Sequence, residues 1–414
     1  MTQPRVLGRY RLLFALLTPL LLGYTLWQAL QEKSWRYLRE RCGRYRGPVA
    51  AKPLWLHAAS VGELNAALPL IAALRIRHPQ QPLLVTTATV SSSRLAALQL
   101  PVDISHTFLP LDWHGAVRRF LDHHRPRCAL IMETELWPNL FAACAERDIP
   151  LLIINGRLSL RTRNAPRWLC QLYRGALQGV TAVLARSEAD KAGFIALGTP
   201  AERVQVVGNI KFSTEPHTMA SDIPLPRPYV LAASTRDGEE PLLLAAWQQA
   251  ERGNHLLVIV PRHPRRMPDI LRTLPLPPQQ VAVRSRGQDI TPDTRVYLAD
   301  TFGELTGFMA GAELIFVGGS LVPKGGQNVL EAARLGKTVV FGPHMENFAD
   351  EARLLLEHEG AIQVQTATEL GATITALLTQ PEHRVALGAA AQQLVERRRD
   401  MATRYAVALD EWCH

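Results

Sequence analysis

PLWLHAASVGELNAALPLIAALR, residues 53–75, opens as a short apolar run, turns through a few small residues, and continues with apolar positions at helical spacing. A continuous apolar strand belongs to a sheet covered on both faces, and a helix directly behind it is the crossover of a parallel sheet. Ser60-Val61-Gly62-Glu63 fits the box in which a serine caps a helix and the glutamate bonds back to the serine backbone amide. The same carboxylate stands at the carboxyl end of the first strand, where parallel sheets bind ligands. Gly62 is a poor residue for a first helical turn, but it leaves room for a close approach. Both roles stay open at this point: Glu63 ties off a helix, or it is aimed at a ligand.

The pattern repeats along the chain. LWLHAA, PLLVTTA, HTFLPL, ALIMET, PLLIIN, AVLARS and VQVVGN read as one series of strands separated by helical stretches. STEPHTMASDIPLPRP, residues 213–228, interrupts it with four prolines and no helical period. YVLAAS, HLLVIV, VAVR, RVYLA, LIFVGG, TVVFG and AIQVQ form a second series. The expected fold class is therefore α/β, with two doubly wound Rossmann-like domains facing a cleft. The expected boundaries are an N-terminal segment 1–47, a first domain 48–212, a linker 213–228 and a second domain 229–414.

The chain has 414 residues, more than one ordinary domain holds, and five scattered cysteines never in a CxxC spacing. That usage argues against a disulfide framework or a zinc site and fits a reducing compartment. The net charge of +9 is local. Nine basic residues up to Arg46 face two acids, Glu32 and Glu40, so +7 of it lies there. Nucleic acid is not the expected partner, because the basic residues are not interleaved with aromatics along a domain face. Between the basic residues lies LLFALLTPLLLGYTLWQAL, residues 12–30, without one charge, about the length that crosses a bilayer as a helix. More Lys and Arg follow it than precede it, which sets the bulk of the chain on the cytoplasmic side of a membrane. Crossing the bilayer and lying at its surface both fit, and in either case residues 33–46 would meet anionic headgroups.

Candidate chemistry collects at strand ends. IMETELWPN, 131–139, places Glu133 and Glu135 directly after a buried strand, and carboxylates that close raise at least one pKa. VVGNIKF, 206–212, ends the first series with Lys211, suited to an anion. In the second series VIVPRHP puts Arg262 and His263 at a strand end, and LADTFGELTG puts Asp300, Thr301, Gly303 and Glu304 at a strand-to-helix turn. VGGSLVPKGGQNVLEAARLG, 317–336, runs from a strand through glycines into a helix expected to open near Gln327. Amides of Gly325 and Gly326 and the helix amino end would cradle a phosphate, and Glu331 would take ribose hydroxyls. Neither GxxxxGKS nor GxGxxG occurs there, so neither an ATPase nor a dinucleotide enzyme is indicated.

HAASVGE, METELWPN, NGRLS (155–159), GNIKF, PRHP and the long run from FVGGSLVPKGGQNVLEAA to GKTVVFGPHMENF stand in one order. In that order the sequence resembles the bacterial 3-deoxy-D-manno-octulosonic acid (Kdo) transferases, from the apolar segment to about residue 350. The resemblance implies a GT-B glycosyltransferase that moves Kdo from CMP-Kdo to the lipid A precursor, with inversion, in lipopolysaccharide biosynthesis. It implies residence at the inner membrane with the catalytic domains cytoplasmic, an acceptor-binding first domain and a CMP-sugar-binding second one. No metal and no cofactor beyond the donor are implied. Glu63 matches the general base, and Glu133 and Lys211 match positions that stabilise the transition state. Pro261 and Arg262, Phe302, Gly303 and Glu304, and Asn328, Val329, Leu330 and Glu331 match the CMP-contacting segments.

Three positions depart from the family pattern: Gln327 and Arg236 replace histidines, and Ser213 replaces an aspartate. Two rival readings share the expected fold. One is a soluble sugar-nucleotide enzyme such as a UDP-N-acetylglucosamine epimerase, which has no use for residues 12–30. The other is an inactive membrane-tethered nucleotide-binding paralogue, against which Glu63, Glu133 and Lys211 speak.

Overall fold

Strand β1 (Leu54–His57) is buried at every residue, and its alternate side chains feed two different cores. Leu54 and Leu56 pack on one face of the sheet with Leu64, Leu70 and Leu74. Trp55 packs on the other with Phe120, Ala129 and Ile131. Burial on both faces is what an apolar run without alternation requires. The structure is a computed structural model. It describes residues 4–47, 51–158, 162, 165–214 and 222–413.

Seven parallel strands form the first sheet in the order β3-β2-β1-β4-β5-β6-β7. After β1 these are β2 (Leu83–Thr87), β3 (Ser105–Phe108), β4 (Cys128–Met132), β5 (Leu151–Gly156), β6 (Ala182–Ala185) and β7 (Val204–Val206). A second parallel sheet runs β10-β11-β9-β8-β12-β13-β14. Its strands are β8 (Tyr229–Thr235), β9 (Leu256–Pro261), β10 (Val281–Val283), β11 (Val296–Leu298), β12 (Leu314–Val317), β13 (Thr338–Phe341) and β14 (Ala361–Gln363). Every strand expected from the apolar runs is present. Strand order reverses between β1 and β4 in one sheet and between β8 and β12 in the other, and each reversal opens a crevice at the carboxyl ends.

The chain divides into two compact units, residues 1–214 with 400–414, and residues 215–399. The expected second domain, 229–414, therefore differs from the structure at its end. The helix Met401–Ala408 packs on the first unit, where Tyr405 is fully buried beside Leu64, Leu184 and Ile210. Burial of that aromatic ring is the physical reason, and nothing in the local sequence marks which core receives it. The expected linker also splits. Residues 210–213 form a 3₁₀ turn of the first unit, residues 215–221 lie outside the described residues, and Ile223 already donates its amide to Gly307 in the second unit.

A single apolar helix over 12–30 is not what forms. Helices α1 (Pro4–Leu16) and α2 (Thr18–Gln31) meet at a 55° bend, and among the described residues no single helix is long and apolar enough to cross a membrane, though the bent pair passes that test together. Pro19 explains the break: it has no amide to donate to the preceding turn and its ring clashes there. The pair leaves Leu12, Leu16, Leu20, Trp27 and Leu30 more than half exposed. On its other side Tyr10 donates to Asp112 (2.9 Å) and Arg11 to Asn139 (2.9 Å). Helix α3 (Trp35–Arg41), capped by Ser34, lies along β3. There Glu40 accepts from Thr107 Oγ1 (2.7 Å) and the Phe108 amide (3.0 Å).

Candidate functional site

Glu63 lies in the first turn of helix α4 (Val61–Arg77), beside the strand reversal. Ser60 caps the helix by accepting from the Glu63 amide (3.3 Å). The carboxylate accepts from Ser60 Oγ (3.1 Å) and from the amide of Ala59 (2.8 Å). The expected capping box is thus displaced by one residue, since the amide reached is that of Ala59 and not of Ser60. A Cβ on Gly62 would meet nothing nearer than Ser60 Oγ at 4.0 Å, so no backbone packs there and the space stays open. Burial first, and then the carboxylates of Glu133 and Glu135, raise the Glu63 carboxyl to about 8, against the pull of its two hydrogen bonds. The cap is therefore present, displaced by one residue, and the same side chain is a carboxyl raised to about 8.

Glu133 follows β4, across the reversal. Its φ of +56° lies in the left-handed region, which costs a non-glycine residue on the order of 1 kcal/mol or more and collects at functional sites. Its carboxylate pairs with Lys211 Nζ at 2.7 Å, both side chains four-fifths buried or so. Burial pushes Glu133 up, but Lys211, Arg157 and Arg186 outweigh it and hold the carboxyl below its usual range. Glu135 goes the other way, raised by burial. Of the pair, the cations hold one carboxyl below its usual range and burial lifts the other above it.

Lys211 is set by its surroundings rather than by its own helix. Asn209 Oδ1 accepts from the Lys211 amide (3.0 Å) and Asn155 Oδ1 from the Ile210 amide (3.1 Å). Tyr405 donates to Gly208 O (2.8 Å), and Ser213 Oγ accepts from the Ala402 amide (2.8 Å). Ser213, one of the departures, so keeps an acceptor at the start of the helix Met401–Ala408. Asn155 was legible only as part of a motif, and Tyr405 carried no signal at all.

In the second unit the loops after β8, β9 and β12 converge. Arg262 donates its amide to Thr235 O (3.0 Å) just past Pro261, and its side chain is exposed. Arg236 Nη1 lies 3.1 Å from His263 Nε2. Gly318 comes so close to the end of β8 that a Cβ would sit 2.7 Å from Ser234 O. A Cβ on Gly319 would lie 3.1 Å from the Arg236 side chain and 3.4 Å from that of Gln327. The two histidine replacements therefore share one spot.

Several details differ from the expected cradle. The helix opens at Leu330, not Gln327, and runs only to Arg334. The Gly326 amide turns inward to Gly319 O (2.9 Å). The amides of Gly319 (2.6 Å), Ser320 (3.0 Å) and Leu321 (3.1 Å) all point at the Glu239 carboxylate, which also accepts from the Arg236 amide (3.1 Å). That nest is filled by the protein itself, and Glu239 is fully buried. Val329 and Leu330 are also fully buried, so only their backbone is available to a ligand. Asn328 accepts from the Leu330 amide (3.1 Å) and donates to Glu331 (2.9 Å), fixing that carboxylate at the loop. Glu304 is held in a two-pronged pair with Arg284 (2.6 and 2.7 Å), which brings its carboxyl down to about 2. Phe302 is mostly exposed and Gly303 has a φ of +82°. The structure thus gathers Glu63, Glu133 and Lys211 in one unit. In the other it sets Pro261, Arg262, Asn328 and Glu331 at the strand ends, with Glu304 engaged to Arg284.

Residues 36–214 match the family model described as 3-deoxy-D-manno-octulosonic-acid transferase (kdotransferase). The chain is 35% identical over 393 residues to the 3-deoxy-D-manno-octulosonic acid transferase of Bordetella pertussis, covering 89% of each chain. To the enzyme of that name from Haemophilus influenzae it is 32% identical over 406 residues, covering 94% of this chain and 95% of the relative. In architecture it is similar to a putative UDP-N-acetylglucosamine 2-epimerase from Listeria monocytogenes, with a TM-score of 0.63 at 15% identity over 87% of this chain and 96% of the other. That last likeness is one of fold, the two-sheet GT-B arrangement.

Proposed function

The chain belongs to the 3-deoxy-D-manno-octulosonic acid transferase family of glycosyltransferases, and on that premise we propose that it transfers Kdo from CMP-Kdo to a hydroxyl of the lipid A precursor. One observation carries the reading: a carboxyl near neutrality, Glu63, faces an ionised carboxylate paired with a lysine, across the reversal of a parallel sheet. The acceptor oxygen attacks the anomeric carbon of Kdo as the bond from that carbon to the CMP phosphate oxygen breaks. The acceptor proton passes to Glu63, CMP departs with the bonding pair, and attack opposite the leaving group inverts the centre. Glu133, held ionised by Lys211, faces the positive charge that develops on the sugar ring, and the lysine supports departing negative charge. In the second unit the unpaired guanidinium of Arg262 receives the phosphate, and Glu331 the ribose.

The N-terminal helices fit an enzyme that meets its acceptor at a lipid surface. Tyr10 and Arg11 tie α1 to the first unit, while the apolar side chains of α1 and α2 are left outside. On this reading the bent pair lies in the cytoplasmic face of the inner membrane rather than crossing it. The test is to incubate the protein with a CMP-Kdo generating system and lipid A precursor and to weigh the lipid products. A mass gain of one or more Kdo units supports the proposal and gives the number transferred. An unchanged lipid with CMP-Kdo present refutes it.

A further inference from the structure

At the other end of the first sheet, a strand length of roughly 13 Å from Glu63, lies a cavity of about 350 Å³. Pro53, ahead of β1, and Ser105, which opens β3, mark it as an amino-end feature. Its polar walls are Arg36, Arg39, Arg46, His106, His123 and His124. Glu40 also lines it. That carboxylate is already committed, one oxygen to Arg36 Nε (2.8 Å) and the other to Thr107 and Phe108. Arg46 is exposed and has no acid beside it among the described residues.

Two nitrogens in this wall are buried without a partner, Arg39 Nε and His124 Nε2. A buried donor left unsatisfied costs on the order of 1–3 kcal/mol, and His124 is only 8% exposed. Three arginines around a carboxylate that is already spent, with unsatisfied nitrogens behind them, form an arrangement that takes an anion with several acceptor oxygens. We propose that this cavity is a binding site for a phosphate group, held by Arg39, Arg46 and His124. The phosphate belongs either to a lipid headgroup or to a soluble phosphate ester. Burial, together with His123 beside His124 and Arg36 beside His106, lowers both rings to about 4. A bound dianion reverses that local field, so the two rings report occupancy. The site stands apart from the transfer chemistry and does not depend on it.

The experiment follows the ring resonances of the full-length chain, carrying ¹³C-histidine, in micelles of a neutral maltoside detergent. Inorganic phosphate is titrated against sodium chloride of matched ionic strength. In a second arm the protein is placed on phosphatidylcholine vesicles with and without 20 mol % phosphatidic acid. Arg39→Gln and Arg46→Gln are compared with the parent, and Arg46, being exposed, is the variant certain to keep the fold. A saturable shift of His124 with phosphate, weakened at least tenfold in either variant, assigns a soluble phosphate ester. The same shift seen with phosphatidic acid vesicles alone assigns a lipid headgroup. No shift in either arm, a shift that chloride reproduces, or binding that neither variant weakens overturns the site. Transfer activity plays no part in this readout, so a chain that fails the lipid-product assay can still pass this one.

Discussion

Glu63→Gln separates the two roles of Glu63 by giving them opposite signs. In the parent a carboxyl near 8 is only ~10% ionised at pH 7, so kcat/KM for the acceptor should rise about tenfold per pH unit and level off above pH 8. Glu135→Gln removes one of the two carboxylates that hold Glu63 up, and the inflection should move down, each pH unit standing for ~1.4 kcal/mol. Stability runs the other way. A carboxyl whose pKa is raised in the folded state binds its proton more tightly there than in the unfolded chain. Its stabilising contribution is therefore complete below its unfolded value near 4.5 and is lost as pH climbs to about 8. The loss is on the order of 4 kcal/mol, an upper figure because Glu63 is not fully buried. A neutral glutamine escapes it and still accepts the Ala59 amide, so Glu63→Gln should melt several degrees above the parent at pH 8.5 while transfer falls by a factor of about 10³ or more. The assays are a pH–rate profile from 6 to 9.5 and thermal melts at pH 5.5 and 8.5. A profile flat from pH 6 to 9, or a glutamine variant that transfers normally but melts below the parent at both pH values, would refute the reasoning and leave Glu63 as a helix cap.

Lys211→Met should cut kcat by about 10²-fold with CMP affinity unchanged, and should raise the Glu133 carboxyl, read as a new acidic limb in the pH profile. Adding Glu133→Gln should cost less than the two single effects together, because the pair acts as a unit; full additivity would separate them. Glu239→Ala strands four backbone amides, those of Arg236, Gly319, Ser320 and Leu321, and should destabilise the second unit by about 3–5 kcal/mol, lowering CMP affinity as well, by calorimetry. If CMP binds as before, the Gly319–Leu321 turn does not shape the site. Ser213→Ala should cost about 1 kcal/mol in a denaturant melt through the lost bond to the Ala402 amide, and Ser213→Asp should restore it.

Both sheets were legible because their central strands, β1, β4, β5, β8, β9 and β12, are apolar runs buried along their length, a pattern that needs no knowledge of the partner strand. The strand ends followed directly, and with them Glu63, Glu133, Lys211 and Arg262. What the sequence concealed is non-local. The pairing of Glu133 with Lys211 spans β4 to the turn after β7, and no spacing encodes it. The glycine-rich loop read as a cradle of the Gly325 and Gly326 amides, but the Gly326 amide closes on Gly319 O, and the nest of amides at Gly319–Leu321 is filled by Glu239, 80 residues before Gly319. Residues 12–30 read as one helix because hydropathy averages over Pro19, whereas the backbone breaks there. Tyr405 was invisible, since a tyrosine in a C-terminal helix has no mark of the core that will bury it.

The return of residues 400–414 to the first unit makes the 215–399 unit an insertion within it. During synthesis the 215–399 unit has all its strands outside the ribosome while the first unit still lacks Tyr405, which plugs its core beneath the Lys211 turn. Loss of the last fifteen residues should therefore damage the half of the chain made first and spare the half made second. The turn that carries Lys211 is among the last parts of the first unit to be finished, since it closes only when the helix Met401–Ala408 packs beneath it.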